Sequence, residues 1–581
     1  MTQQIDAIVV GLGASGGLIA TELARAGLKV VGLEKGAFYQ DADFLTKFDE
    51  IRYYTRSAMV PHMGSDPITW RPNENKKGAV LPWASNKMGL GDPFQTPPSI
   101  GTGGGTRSWG GAAFRFREKD FSMRSTIIER FSESALPEDT TIVDWPIGYK
   151  ELEPYYDRVE WELGVSGKAG NIKGEIQANG NPFESTRDRG YPMSPLPRAA
   201  ADNLFVETST KLGYHPYPTP SAIATENYKG RSACTNCGFC HGYHCHVGAK
   251  VSTHDLVKTA AMETDNLEIR PYVRVFRVNK DSTGRVRGVS YYDSEGKVVD
   301  LEADIVILGC YALENARLLL ASGINENGHV GKHLAMHNYG WFTGILPEWT
   351  NPFMGSLQSG SVLDDLTSEL IPDNDEGVLW GSPINTWTGD MQPMEIIHSL
   401  PPHVPRWGKG FKDWMSENYR KLFKMYSQHS SLPSKQFYVD LDPKVKDKFG
   451  QPAMRITHDW TDNDRKTVEY FMKIKRKIAQ EMGMTDWWED SPTPAYHISV
   501  HDTGTHRMGW DPSSSVVNPF GEVHECKGLY AVGGGQFPTL PSYNPTETIM
   551  ALAYLTADHL LGRGQLEGKN TKIINAQTHL A

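Results

Sequence analysis

Nowhere in the 581 residues is there an unbroken apolar run of the roughly 18 residues that a membrane-spanning helix needs, and mean hydropathy is -0.45. The expectation is no direct membrane span. A basic surplus is also missing. The formal net charge is -10 and the pI is near 6.0, so no basic face is available to neutralise phosphates, and nucleic acid is excluded as a partner. The N-terminus, MTQQIDAIVVG, lacks a basic stretch, apolar core and cleavage site in series and enters a strand pattern at once. It is therefore expected to carry no export signal of its own. Internal repeats and low-complexity linkers are absent too. Cysteine is scarce: six residues in 581 cannot build a disulfide scaffold. These absences leave an acidic, soluble protein that handles small molecules, long enough for two lobes in one cooperative unit.

The few cysteines are not scattered. In SACTNCGFCHGYHCHVGAK, residues 232–250, Cys234, Cys237, Cys240 and Cys245 follow a C-x2-C-x2-C-x4-C spacing with three histidines interleaved, while Cys310 and Cys526 lie far away. Such a run offers soft thiolate ligands from one short loop. Structural zinc sites usually assemble from two separated pairs. Disulfides between residues this close would be strained. The compact run more nearly resembles iron-sulfur ligation, with zinc and disulfides as the alternatives.

At the N-terminus, Ile8, Val9 and Val10 make a short buried-strand run. Gly11-Leu12-Gly13-Ala14-Ser15-Gly16 follows, and then Leu18, Ile19 and Leu23 recur at helical spacing until Gly27. A second apolar strand, Leu28 to Leu33, ends in Glu34. Strand, glycine turn, helix and a late acid are the requirements of a dinucleotide site: glycines admit the pyrophosphate, the helix start faces its charge and the acid accepts from a ribose. A second glycine-rich run, GTGGGTRSWGGAAFRFREKDF, begins at Gly101 and reads as a backbone wall beside a flat ligand. LEADIVILGCYALENARLLLASG supplies a late strand, Ile305 to Leu308, and a helix ending at Gly323. Residues 338–490 are polar and aromatic-rich, with Trp341, Trp380, Trp387, Trp407 and Trp414 at no helical period, and read as a mostly β substrate-side lobe.

The C-terminal part holds two further signals. Asn544-Pro545-Thr546-Glu547 reads as a helix start with Asn at the cap, Pro at the first helical position and Glu at the third. Such a start is also a positive dipole end suited to negative charge on a ligand. Upstream, YHISVHDTGTHRMGWDP offers His497, His501 and His506 as candidates for a base that removes a hydroxyl proton near neutral pH. Spacing alone does not choose among them.

Taken together, the Gly11-to-Glu34 unit, Gly104-Gly105-Thr106, GKHLAMH at 331–337, HDTGTHRMG and NPT resemble the glucose-methanol-choline (GMC) family of FAD-dependent oxidoreductases along the whole chain. The resemblance implies an α/β fold, a Rossmann-type FAD-binding lobe interleaved with a sheet-based substrate lobe. The FAD lobe would comprise 1–40, 97–120, 245–337 and 495–565, and the substrate side 41–96, 121–230 and 338–494. Residues 231–250 would form the cysteine-rich loop and 566–581 a polar tail. It selects His501 as the base, three positions before a Gly-Thr pair, and assigns Asn544 as its partner that orients the substrate oxygen. FAD contacts would come from Gly11, Gly13, Ser15, Gly16, Glu34, Gly104, Gly105, Thr106, Ser108, Val273, Gly535, Asn544, Pro545 and Thr546. Related sugar enzymes can carry a histidine in the GGT loop that tethers the flavin, but here the loop reads Thr106-Arg107-Ser108-Trp109, so noncovalent FAD is expected.

The chain further resembles the iron-sulfur-containing gluconate, sorbitol, fructose and glucose dehydrogenases of bacteria. In these the cluster is of the 3Fe-4S type on three cysteines. Four candidates and a different spacing here leave one cysteine spare, or a 4Fe-4S cluster. That subset implies a dehydrogenase of a sugar, sugar acid or glycoside that passes electrons to a cytochrome c subunit. It also implies a small subunit bearing the export signal, hence a periplasmic enzyme, with a cytoplasmic one as the alternative. A pyranose-type oxidase, a glycoside 3-dehydrogenase and an electron-transfer subunit without substrate chemistry are the competing readings.

Overall fold

The computed structural model describes residues 4–40, 43, 66–76, 79–81, 100–389, 391–393, 396, 400–490 and 501–563. Most of the expected substrate-side stretch 41–96, residues 97–99 and 491–500 with His497, and the tail 566–581 lie outside the described residues.

The first strand, Ala7–Val10, is buried at every position. Such a run, apolar on both faces, is what a central parallel strand covered by helices requires. It pairs in parallel with Val30–Leu33 on one side and Val306–Leu308 on the other. Leu529–Ala531 and Leu267–Arg270 complete a five-stranded parallel sheet with the first strand at its centre. The helix Gly16–Arg25 leaves the first strand through the glycine turn and ends before Gly27, whose φ of 95° suits a residue without a side chain. Sequence-distant segments thus meet at the carboxyl ends of these strands, where open parallel sheets bind ligands.

A second sheet is antiparallel. Its six strands run in the order Asp486–Asp490, His337–Ile345, Leu422–Ser430, Ile384–Trp387, Ser361–Leu363, Tyr217–Pro218. Side chains alternate across a strand, so the register divides this sheet into two faces. Phe342 lies opposite Met425, and both pack with Phe471 and Met472 of the helix Asp462–Glu481. Thr461 starts that helix with a capping box: its Oγ1 accepts from Asp464 N at 3.2 Å, and Asp464 Oδ2 accepts from Thr461 N at 2.7 Å. Tyr339 opposite Gln428, and Trp341 opposite Tyr426, point to the other face. That face is the one turned toward His501 and the cysteine loop.

Candidate functional site

Three backbone segments converge on the first glycine turn. Gly11 has φ of 84°, and a Cβ on Gly16 would stand 2.1 Å from Gly11 O. Gly103 N donates to Leu12 O at 2.7 Å, bringing the second glycine run against the first. Glu34 fastens the two together. Its Oε2 accepts from Leu12 N at 3.0 Å, and its Oε1 accepts from Gly36 N at 2.9 Å and Gly101 N at 3.0 Å. Val273 N donates to Glu34 O at 3.0 Å, so this valine sits beside the acid. Thr106 Oγ1 donates to Gly103 O at 2.6 Å and lies 2.9 Å from Thr253 Oγ1, which ties the loop to the helix Thr253–Glu263. A Cβ on Gly105 would meet nothing within 4 Å among the described residues beyond its own turn of chain, and a Cβ on Gly13 would come 3.9 Å from Gly104 Cα. The third segment is Gly533–Gly535. A Cβ on Gly533 would lie 3.3 Å from Ser15 Oγ, and one on Gly535 would strike the His506 ring at 1.8 Å. His506 is thereby a packing residue, and burial pushes it down to about 3.

The same third segment carries His501 to the site. Gly504 N donates to Gly534 O at 3.3 Å, and Thr503 pairs with Ala335. His501 Nδ1 lies 2.9 Å from His337 Nδ1 and 3.0 Å from Tyr339 Oη. His337 Nε2 stands 2.7 Å from Pro541 O. Burial holds His501 well below the usual imidazole range. Burial pushes His337 down to about 4. Both rings are therefore neutral near pH 7 and able to accept a proton.

Asn544 does not act as the helix cap its sequence context suggests. The helix spans Thr546–Leu560, Pro545 precedes it without a side-chain cap bond, and Asn544 Oδ1 accepts from Gln428 Nε2 at 3.1 Å. The cross-strand neighbours Tyr339 and Gln428 thus link the two candidates, Tyr339 at His501 and Gln428 at Asn544. Pro545 is buried and Thr546 half-buried at the helix start, next to this pair.

Further along the same face, Tyr339 stacks on Trp341 at 5.8 Å and Trp341 on Tyr426 at 4.8 Å. Trp387 lies 5.4 Å from Trp341 and 5.3 Å from the His241 ring of the cysteine loop. Lys250, itself buried, fixes that loop to the second glycine run. Its Nζ donates to Trp109 O at 2.5 Å, to Cys240 O and Tyr243 O at 2.7 Å, and to Arg107 O at 3.3 Å. Gly242 N donates to Ser108 O at 2.7 Å.

The four clustered cysteines do not form one ligand set for an ion. Among the described residues, no three His, Cys, Asp or Glu side chains gather where a metal ion could be held. None of the six cysteines is disulfide-bonded. Cys240 is buried with its sulfur 3.4 Å from Ser356 Oγ. Cys234, Cys237 and Cys245 are half-buried. Burial pushes the Cys234 thiol up, and negative charge on Cys245 and Cys237 would push it further, so these three are electrostatic neighbours.

Residues 143–339 match the N-terminal and residues 433–553 the C-terminal domain of GMC oxidoreductases. The gluconate 2-dehydrogenase flavoprotein of Pantoea cypripedii is 30% identical over 96% of this chain and 93% of its own length. The chain belongs to the GMC oxidoreductase family. Other GMC relatives are the fructose dehydrogenase large subunit of Gluconobacter japonicus, 25% identical over 96% of this chain and 98% of that one, and paromamine 6'-oxidase of Streptomyces fradiae, 28% identical over 96% and 91%. Among solved structures, pyridoxine 4-oxidase from Mesorbium loti shares the fold with a TM-score of 0.60, covering 97% of this chain and 100% of that one at 16% identity. The protein is thus a GMC oxidoreductase, and FAD is its cofactor. The converging glycine segments fit a flavin dinucleotide: a side chain at Gly16 would fill the turn, and the acid at Glu34 binds both loops together.

His337, Tyr339 and Gln428 are the site residues that sequence reasoning did not nominate. His337 closes the GKHLAMH segment, and the alternation in HNYGWFTGI signals the strand that presents it with Tyr339.

Proposed function

We propose that this GMC oxidoreductase is the catalytic subunit of a dehydrogenase that oxidises a hydroxyl of a sugar, sugar acid or glycoside. The names of the gluconate and fructose relatives support the substrate class. Bound FAD would supply the acceptor for the hydride that leaves the substrate carbon. Gly11, Gly13, Ser15 and Gly16 with Glu34 would hold its dinucleotide part, and Gly104, Gly105, Thr106, Ser108, Val273 and Gly535 would line it. His501 accepts the hydroxyl proton. Asn544, its Oδ1 engaged by Gln428, presents Nδ2 to the substrate oxygen. The start of the helix Thr546–Leu560 would favour negative charge on a group bound against it. The observation that carries the reading is the Tyr339 and Gln428 pair, which holds His501 and Asn544 on one face beside the glycine cradle.

The cysteine loop is proposed as the electron exit. Lys250 and Gly242 dock it on the loop 101–109, where a short path from flavin would start. Cys234, Cys237 and Cys245 would hold an iron-sulfur cluster of the 3Fe-4S type, with Cys240 beside Ser356 as the spare thiol. A small subunit with an export signal and a cytochrome c subunit are the proposed partners, and the periplasm the proposed location. Paromamine 6'-oxidase among the relatives supports a second reading, an oxidase that reduces oxygen.

Anaerobic addition of a panel of sugars, sugar acids and glycosides tests the substrate class. One of them is expected to bleach the flavin; bleaching by none, with FAD in place, would favour an electron-transfer subunit without substrate chemistry. The flavin link has its own check. Thr106 follows Gly104-Gly105 where a tethering histidine would stand, so acid precipitation is expected to leave all FAD in the supernatant. Flavin remaining in the pellet would show a covalent bond.

A further inference from the structure

His501 Nδ1 meets two groups of different permissiveness. Tyr339 Oη, at 3.0 Å, can donate or accept, and so tolerates either neutral tautomer of His501. His337 is more restrictive. Its Nε2 stands 2.7 Å from the Pro541 carbonyl, which only accepts, so the proton of the neutral His337 ring is on Nε2. Its Nδ1 therefore points a lone pair at His501 Nδ1, 2.9 Å away, with the two rings at 88° to one another. Two lone pairs at that distance repel. The contact is a hydrogen bond only if His501 carries its proton on Nδ1.

We propose that His337 is a positioning residue that fixes His501 as the Nδ1–H tautomer, leaving Nε2 as the lone pair that takes the substrate's hydroxyl proton. The inference rests on His501 being the base, as argued above. In that step the substrate O–H bond breaks and an Nε2–H bond forms. The electron pair stays on the substrate oxygen, and His501 becomes an imidazolium. His337 then accepts a stronger, charge-assisted hydrogen bond from Nδ1–H. Remove His337 and the alternative opens: Tyr339 donates to Nδ1, the ring's proton moves to Nε2, and the base is turned off. His337 and Tyr339 are two positions apart in the strand His337–Ile345, so one strand supplies both the lock and its competitor.

The test uses the flavin-loaded enzyme and the substitutions His337→Phe and His337→Gln. Phenylalanine keeps the ring volume and removes the lone pair. Glutamine can offer its carbonyl to His501 and its amide to Pro541 O. The Phe variant is expected to bleach its flavin with substrate about a hundredfold more slowly, with KM within about threefold of wild type, and the Gln variant to recover to within about tenfold. Raising the pH should not restore the Phe variant, because the fault is where the proton sits rather than how many there are. A rate for the Phe variant equal to wild type, or fully recovered at high pH, would overturn the proposal.

Nitrogen NMR of the histidine-labelled protein, with His501 assigned by loss of its signal in His501→Gln, reads the tautomer without catalysis. A protonated Nδ1 in the wild type is expected, and a protonated Nε2 overturns the proposal even if the Phe variant does not fold. Failure of every sugar to bleach the flavin would count against the proposed function, whereas the nitrogen signal judges His337 alone.

Discussion

His501→Ala is expected to slow substrate-driven flavin reduction by about 10²–10⁴-fold while FAD content and the flavin spectrum stay as in the wild type. The factor follows from the loss of a positioned base in a step that must remove a hydroxyl proton as hydride departs. Retention of flavin follows from the structure. The glycine cradle is fastened by Gly103 N donating to Leu12 O and by the Glu34 carboxylate accepting from Leu12, Gly36 and Gly101 N, and none of these bonds involves His501. The pH dependence has a definite sign. Burial holds His501 well below the usual imidazole range, so the wild-type rate should stay level as pH falls through 6.5 and drop only below it. Stopped-flow bleaching across that range provides both readouts. A rate that halves near pH 6.5 would mean that the base is a more exposed group.

Gly16→Ala should have the other large effect, this time on folding and cofactor retention. The added Cβ would stand 2.1 Å from Gly11 O, a backbone atom that cannot swing aside. Nor can the turn shift as a whole. A Cβ position on Gly309 already lies 2.6 Å from Gly16 Cα, so the strand Val306–Leu308 presses on the turn from behind. Overpacking of this kind costs about 1–3 kcal/mol in ordinary cores, and more where only backbone can yield. The expected outcome is a lower Tm and protein purified largely without FAD. Gly105→Ala is the informative contrast. Among the described residues, no atom beyond its own turn of chain lies within 4 Å of its added Cβ, so the fold should be unaffected, and any loss of FAD there reports a ligand contact.

The dinucleotide half of the molecule was legible because its signals are local. Strand, glycine turn, helix and Glu34 follow one another within a few turns of chain, and each has its own period or conformational demand. The proposed reacting face was only half legible. His501 stands in a short loop with a recognisable neighbourhood, but Tyr339 and Gln428 matter because they are opposite one another in a pairing of strands about ninety residues apart, and sequence does not print a register. Asn544 shows the reverse failure. Its neighbours spell a helix cap, yet the chain begins the helix one residue later than that reading has it, at Thr546, and spends the asparagine on Gln428.

The stretch 338–490 read as mostly β because its tryptophans have no helical period. Trp341 and Trp387 do lie on strands, but the capping box at Thr461 and the stripe Val468, Phe471, Met472, Ile478 marked a twenty-residue helix within it. In the cysteine run, spacing made all four thiols equivalent. Packing gives one of them a distinct neighbour, because Ser356 Oγ lies 3.4 Å from the Cys240 sulfur.

Whether electrons leave through that loop is decided most directly by one experiment on the purified protein. Metal content is measured, the flavin is reduced anaerobically with substrate, and the reduced protein is mixed with either a one-electron acceptor or oxygen. Expected are iron without zinc, an iron-sulfur signal in electron paramagnetic resonance, and an acceptor that drains the protein far faster than oxygen does. Zinc in place of iron, with oxygen reoxidising the flavin to peroxide as fast as any acceptor, would contradict the dehydrogenase and make the enzyme an oxidase.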